Sequence, residues 1–241
     1  MKQYKAIFLD WDDTIGDWSH AAHDALCDLY RLFHLETLYP TAEDFVVYYE
    51  PYNLSLWERY GRGEITKEYL SVERFLHTLT KGESTESEAE SLKAKATEMG
   101  KTFLLQTNRH FSLLPHAEEV VRYLAGKYPL TIISNGFKEV QYYKFSHSGL
   151  QDCFAHLLVS EEVGVNKPQP EIFRCALELN GVTADEALMI GDSLTSDIAG
   201  AQAAGIDSLW IQRNHHSPIT TLQSPIPTYA VTDIREIRQL I

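Results

Sequence analysis

The chain places the apolar run Ala6-Ile7-Phe8-Leu9 directly before Asp10-Trp11-Asp12-Asp13-Thr14, so four apolar residues lead straight into a cluster of acids. A short, continuous apolar run of this kind predicts a strand that is covered on both faces, as in a parallel sheet. Asp10 and Asp12 would then lie at the strand's carboxyl end, where open α/β sheets bind their ligands. One of these two carboxylates could act as a nucleophile and the other as an acid or base.

Two hydrophobic patterns divide the rest of the chain. Residues 16–110 carry apolar side chains at helical spacing. Ser19 is a candidate cap for one helix. Thr41 followed by Asp44 resembles a capping box for another. From about residue 115, apolar runs that predict strands alternate with helical stretches, which indicates a parallel sheet with helices on both faces. The predicted strands span residues 130–133, 156–160, 187–190 and 208–211.

The first strand and the later strands should share one sheet, so the helical block is an insertion. We expect an α/β, Rossmann-like core from residues 1–15 and 111–241, with an inserted helical-bundle cap from residues 16–110. The insertion leaves the core at a strand's carboxyl end, so we expect the cap to act as a lid over the ligand site. A loop is expected over residues 218–227.

Charge and composition exclude several classes of protein. The net charge of −13 disfavours polymeric DNA or RNA as a partner, because an acidic surface repels a phosphate backbone. A local cationic site can still attract a small anionic substrate. The three cysteines form no C-x-x-C pair, which is typical of reduced thiols. No signal-peptide core and no apolar run of membrane-spanning length is present, so we expect a cytoplasmic protein without a membrane partner.

Three later segments add polar side chains near predicted strand ends. Ser134 and Asn135 follow one strand, where a hydroxyl and backbone N–H groups could hold phosphoryl oxygens, although a simple turn would use the same residues. Lys167 could neutralise phosphate charge, although a lone lysine is usually solvated. Asp192 and Asp197 flank a strand-to-helix turn and suit a hard cation, although helix capping would also use them.

Each of these segments is a weak indication of a functional site by itself. Together they are a strong one, because they occur in order and each falls near the end of a predicted strand. Oxygen ligands without a Cys or His cluster favour Mg²⁺ over Zn²⁺. The order D-x-D-x-T, Ser, Lys, G-D-x-x-x-x-D resembles the phosphatase branch of the haloacid dehalogenase superfamily, and the resemblance covers the whole chain.

This resemblance implies a Mg²⁺-dependent phosphatase that forms a phospho-aspartyl intermediate. Asp10 would be the nucleophile and Asp12 the general acid/base. Asp10, the backbone carbonyl of Asp12, and Asp192 would bind Mg²⁺. The resemblance also implies that Ser134 and Lys167 bind the phosphate. Thr14 would support the first loop. Asp197 would support either the metal's water shell or Lys167.

Asp13 occupies a place where many members of the superfamily have glycine. An acid there resembles the subgroup of 5′-nucleotidases that act on pyrimidine nucleoside monophosphates, and the segments 56–66, 134–137 and 160–168 resemble the same subgroup. The resemblance therefore implies a small phosphorylated metabolite as substrate, namely a nucleoside 5′-monophosphate with a pyrimidine base. Trp18 could stack on that base or pack at the junction of cap and core.

Three alternatives stay open on sequence grounds. A phosphatase of another small metabolite, such as phosphoglycolate or a sugar phosphate, would use the same residues. A dehalogenase would need neither Mg²⁺ nor an acid for the leaving group, so Asp12 and the pair Asp192 and Asp197 argue against it. A non-catalytic binding protein on the same fold would not need the complete set of residues.

Overall fold

The structure, a computed structural model, describes residues 2–83, 85–213 and 225–241. Most of the loop expected over residues 218–227 lies outside the described residues. The chain divides into two compact units, one of Met1–Asp17 with Ser112–Ile241 and the other of Trp18–Phe111. The first unit contains the sheet, and helices build the second.

The sheet of the first unit is parallel throughout the described residues. Its strands are β1 (Ala6–Leu9), β2 (Leu130–Ser134), β3 (His156–Val159), β4 (Ala187–Gly191), β5 (Asp207–Ile211) and β6 (Tyr229–Val231). They lie in the order β3-β2-β1-β4-β5-β6, and every neighbouring pair is parallel. The predicted α/β class is confirmed, as are the five predicted strands. β6 is an addition, because three residues are too few to show a hydrophobic period.

The central position of β1 explains how distant segments meet. Leu9 is in register with Ile132 on one side and with Ile190 on the other. The residues that follow these positions therefore emerge at the same edge of the sheet. β1, β2 and β4 are buried along their whole length, which is why each reads as a continuous apolar run rather than an alternating one.

The second unit packs its helices around an aromatic core. Its helices are α1 (Trp18–Leu32), α2 (Ala42–Gly61), α3 (Lys67–Thr80) and α4 (Glu86–Arg109). The buried core includes Phe45, Tyr49, Phe75, Met99 and Phe103. Each helix contributes apolar side chains along one face, and this packing stabilises the helices more than intrinsic propensity does.

Two predicted helix caps have different outcomes. The capping box of α2 is confirmed: Thr41 Oγ1 accepts from the Asp44 backbone N–H, and the Asp44 carboxylate accepts from the Thr41 backbone N–H. The Ser19 cap is wrong, because α1 begins at Trp18 and Ser19 lies in its first turn.

Helices of the first unit flank the sheet. They are α5 (Ala117–Ala125), α6 (Lys138–His147), α7 (Ser160–Val163), α8 (Pro170–Asn180), α9 (Ala199–Ala203) and α10 (Ile237–Leu240). Phe173 of α8 and Ala201 of α9 share a buried cluster with Phe8 and Met189 of the sheet. No helix among the described residues is both long and apolar enough to cross a membrane.

Replacing Thr41 with Ala should lower the free energy of unfolding by about 1 kcal/mol, because the side-chain oxygen that satisfies an N-terminal N–H of α2 is lost. Thr41→Ser keeps that oxygen and should stay close to wild type. Urea unfolding followed by circular dichroism measures the difference. Equal stability of the two variants would show that the capping oxygen contributes nothing.

Candidate active site

A buried lysine lies between two aspartates at the carboxyl edge of the sheet. Asp10 directly follows β1, and Lys167 lies in the segment between α7 and α8. Lys167 Nζ is 2.5 Å from Asp10 Oδ1 and 2.6 Å from Asp197 Oδ1. All three side chains are buried, so solvent and salt screen these ion pairs little.

Burial acts in opposite directions on the two kinds of charge in this cluster. It raises the pKa of Asp10 well above the ordinary value; Lys167 opposes that shift, whereas Asp197 and Asp192 add to it. Burial alone would lower the pKa of Lys167, but attraction to Asp10 and Asp197 outweighs it and raises that pKa. Lys167 therefore stays an ammonium, and its charge opposes the rise in the pKa of Asp10.

Asp192, which directly follows β4, completes a cluster of three acids. Ligand oxygens of Asp10, Asp192 and Asp197 all lie within 4.8 Å of one another. The buried Thr14 donates from Oγ1 to Asp192 Oδ1 at 3.4 Å. A Cβ at Gly191 would lie 2.2 Å from Asp197 Oδ2, so glycine is required for that carboxylate to pack against the turn.

The charge of this acidic cluster fits a divalent cation. Its three carboxylates face the single ammonium of Lys167, which leaves two negative charges in excess when all are ionised. Burial, the charge of Asp197 and the charge of Asp13 raise the pKa of Asp192 to about 7. A divalent ion would relieve this repulsion, and a set of carboxylate oxygens suits a hard cation.

The carboxyl group of Asp12 is held by partners that do not contact Asp10. Lys144 Nζ lies 2.6 Å from Asp12 Oδ1, and Gln141 Nε2 donates to Asp12 Oδ2 at 2.8 Å. Both donors are 2% exposed, whereas the Asp12 side chain is 26% exposed. Asp12 is thus fixed through both oxygens from one side and remains accessible from the other. The two aspartates of the D-x-D motif are therefore held by different lysines, Lys167 for Asp10 and Lys144 for Asp12.

The sequence alone does not identify Gln141 or Lys144. They lie one turn apart on the buried face of α6, together with Val140. A Cβ at Gly136 would come within 1.8 Å of Gln141 Nε2, so this glycine lets the amide reach Asp12. One signal in the sequence could have indicated Lys144. It is a lysine on the buried face of a helix that follows a Ser-Asn-Gly turn.

Ser134 and Asn135, expected to bind phosphate, occupy different positions. Ser134 ends β2, is buried, and accepts the Gly136 N–H at 3.2 Å. The Asn135 side chain donates to the Lys167 carbonyl at 2.9 Å and accepts from the Lys167 N–H at 2.8 Å. Asn135 therefore fixes the backbone of Lys167, and its side-chain amide is committed to that task.

Asp13 adopts a left-handed backbone conformation, with φ of 58°. Its N–H donates to the Gly16 carbonyl at 2.8 Å, which closes the turn after β1. Glycine adopts this conformation without strain, and aspartate is one of the few other residues that tolerates it. The backbone thus explains why this position accepts either residue.

Comparison with known proteins decides the family. A model of the haloacid dehalogenase-like hydrolase family matches residues 4–205. The chain belongs to this family. The resemblance inferred from the ordered motifs is thereby confirmed, and the protein is a hydrolase of the haloacid dehalogenase-like family with the fold expected for it.

Three relatives match this haloacid dehalogenase-like hydrolase over nearly its whole length. The pyrimidine 5′-nucleotidase YjjG of Escherichia coli is 33% identical over 236 residues, which cover 98% of this chain and 96% of YjjG. The pyrimidine 5′-nucleotidase PynA of Streptococcus pneumoniae is 28% identical, and the match covers 97% of this chain and 93% of PynA. The crystal structure of the HAD-hydrolase YfnB of Bacillus subtilis bound to magnesium gives a TM-score of 0.84 at 28% identity, with 99% of each chain covered.

Adding Mg²⁺ should raise the unfolding temperature more at pH 8 than at pH 5.5. In the metal-free fold the pKa of Asp192 is about 7, above its ordinary 3.8. A carboxyl group whose folded-state pKa is raised favours the fold at low pH and loses that contribution as pH rises through about 7. A divalent ion competes with the proton, so its stabilisation grows as the proton leaves.

Thermal unfolding with EDTA and with Mg²⁺, at each pH, measures this difference. Asp192→Asn serves as the control, because it removes one titrating group and one candidate ligand of the cluster and should reduce the gain from Mg²⁺ at pH 8. An equal gain at both pH values in the wild type would contradict the assignment of this cluster as a cation site.

Proposed function

We propose that this hydrolase is a Mg²⁺-dependent phosphomonoesterase in which Asp10 is the nucleophile. The observation that carries the proposal is the buried Asp10 carboxylate at the end of β1, 2.5 Å from Lys167 and clustered with Asp192 and Asp197. An isolated buried carboxylate would repel an anionic phosphate. Here an ammonium and a cation site lie beside the attacking oxygen, so charge neutralisation is built into the site.

Asp10, the backbone carbonyl of Asp12, and Asp192 would hold the Mg²⁺ ion, whose charge would offset that of the phosphoryl oxygens. In the first step an Asp10 oxygen bonds to phosphorus while the ester P–O bond breaks, and Asp12 gives a proton to the departing alkoxide. In the second step water attacks phosphorus, Asp12 takes the proton, and the bond from Asp10 to phosphorus breaks. Inorganic phosphate and a free alcohol result.

Lys144 and Gln141 would be positioning residues for Asp12. A general acid must lie within hydrogen-bond reach of the oxygen it protonates, so its orientation matters as much as its acidity. The two buried donors fix both carboxyl oxygens at 2.6 and 2.8 Å, and neither side chain can swing away within a packed core. Asp12 therefore meets the leaving group in one orientation.

The substrate class that we favour is a nucleoside 5′-monophosphate with a pyrimidine base. YjjG and PynA, which match this chain over almost its full length, are both pyrimidine 5′-nucleotidases. The acid at position 13 and the segments 56–66, 134–137 and 160–168 resemble the same subgroup. The helical unit Trp18–Phe111 would serve as the inserted cap.

A panel of phosphomonoesters assayed with and without Mg²⁺ tests the activity and its specificity. We expect Mg²⁺-dependent release of phosphate, with kcat/KM higher for dUMP, dTMP or UMP than for phosphoglycolate and hexose phosphates. Asp10→Asn should abolish turnover and leave the fold intact, because the amide has nearly the same size as the carboxylate and Lys167 keeps its ion pair with Asp197. Near-normal turnover by a verified, non-deamidated Asp10→Asn protein would refute the mechanism, whereas a reversed substrate order would refute only the nucleotide assignment.

Replacing Lys144 with Met should lower kcat/KM for UMP about 10- to 100-fold and affect p-nitrophenyl phosphate much less. Nitrophenolate leaves without a proton, whereas a ribose oxygen needs the acid, whose contribution is typically about 10²–10⁴-fold. Lys144→Arg should restore part of the loss, and adding Lys144→Met to Asp12→Ala should cost little more than Asp12→Ala alone.

Lys138→Met is the matched control for this experiment, because Lys138 lies on the same helix with its side chain 52% exposed and paired with Glu162. It should leave the ratio of the two substrates unchanged. If Lys144→Met reduces turnover of both substrates by the same factor, Lys144 does not act through Asp12.

A further inference from the structure

A tryptophan of the neighbouring strand is hydrogen-bonded to the backbone of Asp192. The indole Nε1–H of Trp210 donates to the carbonyl oxygen of Asp192 at 2.7 Å. Trp210 belongs to β5 and is buried. Both residues lie in the unit formed by Met1–Asp17 and Ser112–Ile241, so this contact is a feature of that unit alone. The mechanism proposed above assigns no part to Trp210.

The sheet fixes the position of this tryptophan. Trp210 is in register with Gly191, the last residue of β4, and on its other side with Ala230 of β6. Its backbone is therefore held by strands on both sides. Asp192 is the first residue beyond β4, so its carbonyl group lies outside the ladder of the sheet. The indole supplies this carbonyl with a donor of the kind that a neighbouring strand supplies within a sheet.

The indole ring also packs against the turn that contains Asp197. Leu194 and Ile198 are the first and last residues of a π-helical turn, and both share a buried cluster with Trp210. Asp197 lies inside this turn and is buried. A single side chain therefore contacts the backbone of Asp192 and the turn that holds Asp197. Short π-helical turns of this kind occur frequently at functional sites.

The carboxylate of Asp192 has a longer hydrogen bond than its backbone carbonyl. Thr14 Oγ1 donates to Asp192 Oδ1 at 3.4 Å, which is long for a bond between a hydroxyl group and an oxygen. A bond of this length orients the carboxylate only weakly. Its direction depends instead on the backbone that carries it, and the short bond from Trp210 fixes that backbone.

A divalent cation makes this backbone position important. Ligand oxygens of Asp10, Asp192 and Asp197 lie within 4.8 Å of one another, and repulsion between the three carboxylates acts to separate them. Mg²⁺ requires a nearly ideal arrangement of its oxygen ligands. A shift of the turn after β4 would therefore weaken the binding of the ion, although every ligand would still be present.

We propose that Trp210 is a positioning residue of the cation site. Its indole N–H fixes the backbone of Asp192, and its ring supports the turn that holds Asp197, so both carboxylates stay beside Asp10. The proposal rests on the proposed function, because it concerns the same Mg²⁺ site. It gives a residue of β5, outside the ordered motifs, a part in metal affinity.

Trp210→Phe tests the proposal, because it keeps an aromatic ring for packing and removes the N–H. Isothermal titration calorimetry with Mg²⁺ should give an affinity about 10-fold weaker than that of the wild type. Loss of a group that orients a metal ligand typically lowers metal affinity by about 10- to 100-fold. The rise in unfolding temperature on adding Mg²⁺ should shrink accordingly. Neither measurement depends on turnover.

Tyr4→Phe is the matched control. Tyr4 is buried, and its Oη donates to Asp207 Oδ2 at 2.8 Å. Asp207 begins β5, so this variant also removes one hydrogen bond from that strand, but at the end away from the cation site. It should lower the unfolding temperature and leave the Mg²⁺ affinity unchanged.

A double variant shows whether Trp210 acts through Asp192. In an Asp192→Asn background, Trp210→Phe should add little to the loss of Mg²⁺ affinity, because both changes affect the same ligand. A full additional 10-fold loss would contradict this route.

Should Trp210→Phe fail to fold, the wild-type protein provides the test. NMR resolves the indole N–H signals of its four tryptophans. Exchange of the Trp210 indole proton with solvent should slow when Mg²⁺ is added, because the ion stabilises the turn that accepts its hydrogen bond. An exchange rate that does not respond to Mg²⁺ would overturn the proposal.

The remaining outcomes are equally decisive. A lower unfolding temperature with wild-type Mg²⁺ affinity would make Trp210 an ordinary core residue. An equal loss of affinity in Tyr4→Phe would assign the effect to general destabilisation. Absence of Mg²⁺ binding by the wild type would remove the cation site and this proposal with it. If the wild type binds Mg²⁺ but hydrolyses no phosphomonoester, and Trp210→Phe still weakens binding, the proposed reaction fails and the role of Trp210 stands.

Discussion

The buried ammonium of Lys167 between Asp10 and Asp197 is the interaction on which the rest of the site depends. Three carboxylates this close together could not all stay ionised in a dry environment without a counter-charge. Lys167 provides one positive charge inside the protein, and the excess acid that remains creates a place for a cation. The same ammonium lies 2.5 Å from Asp10 Oδ1, so a compensating charge is in place beside a carboxyl group that is shielded from water.

The surrounding residues keep this lysine in place rather than take part in its chemistry. Asn135 bonds both ways to the Lys167 backbone, so the end of β2 and the segment before α8 are joined at the site. Gly191 lets Asp197 pack against the turn after β4. Two strand ends and one loop are therefore tied to a single ammonium group, and a change in any of them would move the charge that lies beside Asp10.

Asp12, the second aspartate of the D-x-D motif, is held by other side chains than Asp10. Asp12 is held by Lys144 and Gln141, which are not the partners of Asp10. Two carboxylates separated by one residue can have separate roles because each has its own lysine. In the helical unit, Arg74 is a buried charge, and its Nε and Nη2 have no hydrogen-bond partner among the described residues.

Much of this protein is determined by its sequence alone. The run Ala6 to Leu9, the later apolar runs and the helical spacing of residues 16–110 indicate the α/β core and the inserted helices, because hydrophobic period depends on local geometry. The ordered motifs indicate Asp10, Lys167, Asp192 and Asp197, because parallel strands place their carboxyl ends at one edge. The short strand β6 and the first residue of α1 cannot be predicted from hydrophobic period, since too few residues carry the pattern.

Only the tertiary structure decided which side chains are partners. Lys144 and Gln141 follow Asp12 by more than a hundred residues, and no periodicity shows that α6 turns them toward it. Asn135 looks like a turn residue until its amide is seen on the Lys167 backbone. Arginine is usually found at the protein surface, so the sequence does not show that Arg74 is buried. Its burial beside Tyr49 and Phe103 depends on the packing of α3 against its neighbours. Pairing and burial are long-range properties, because they are set by how elements pack and not by the residues adjacent in the chain.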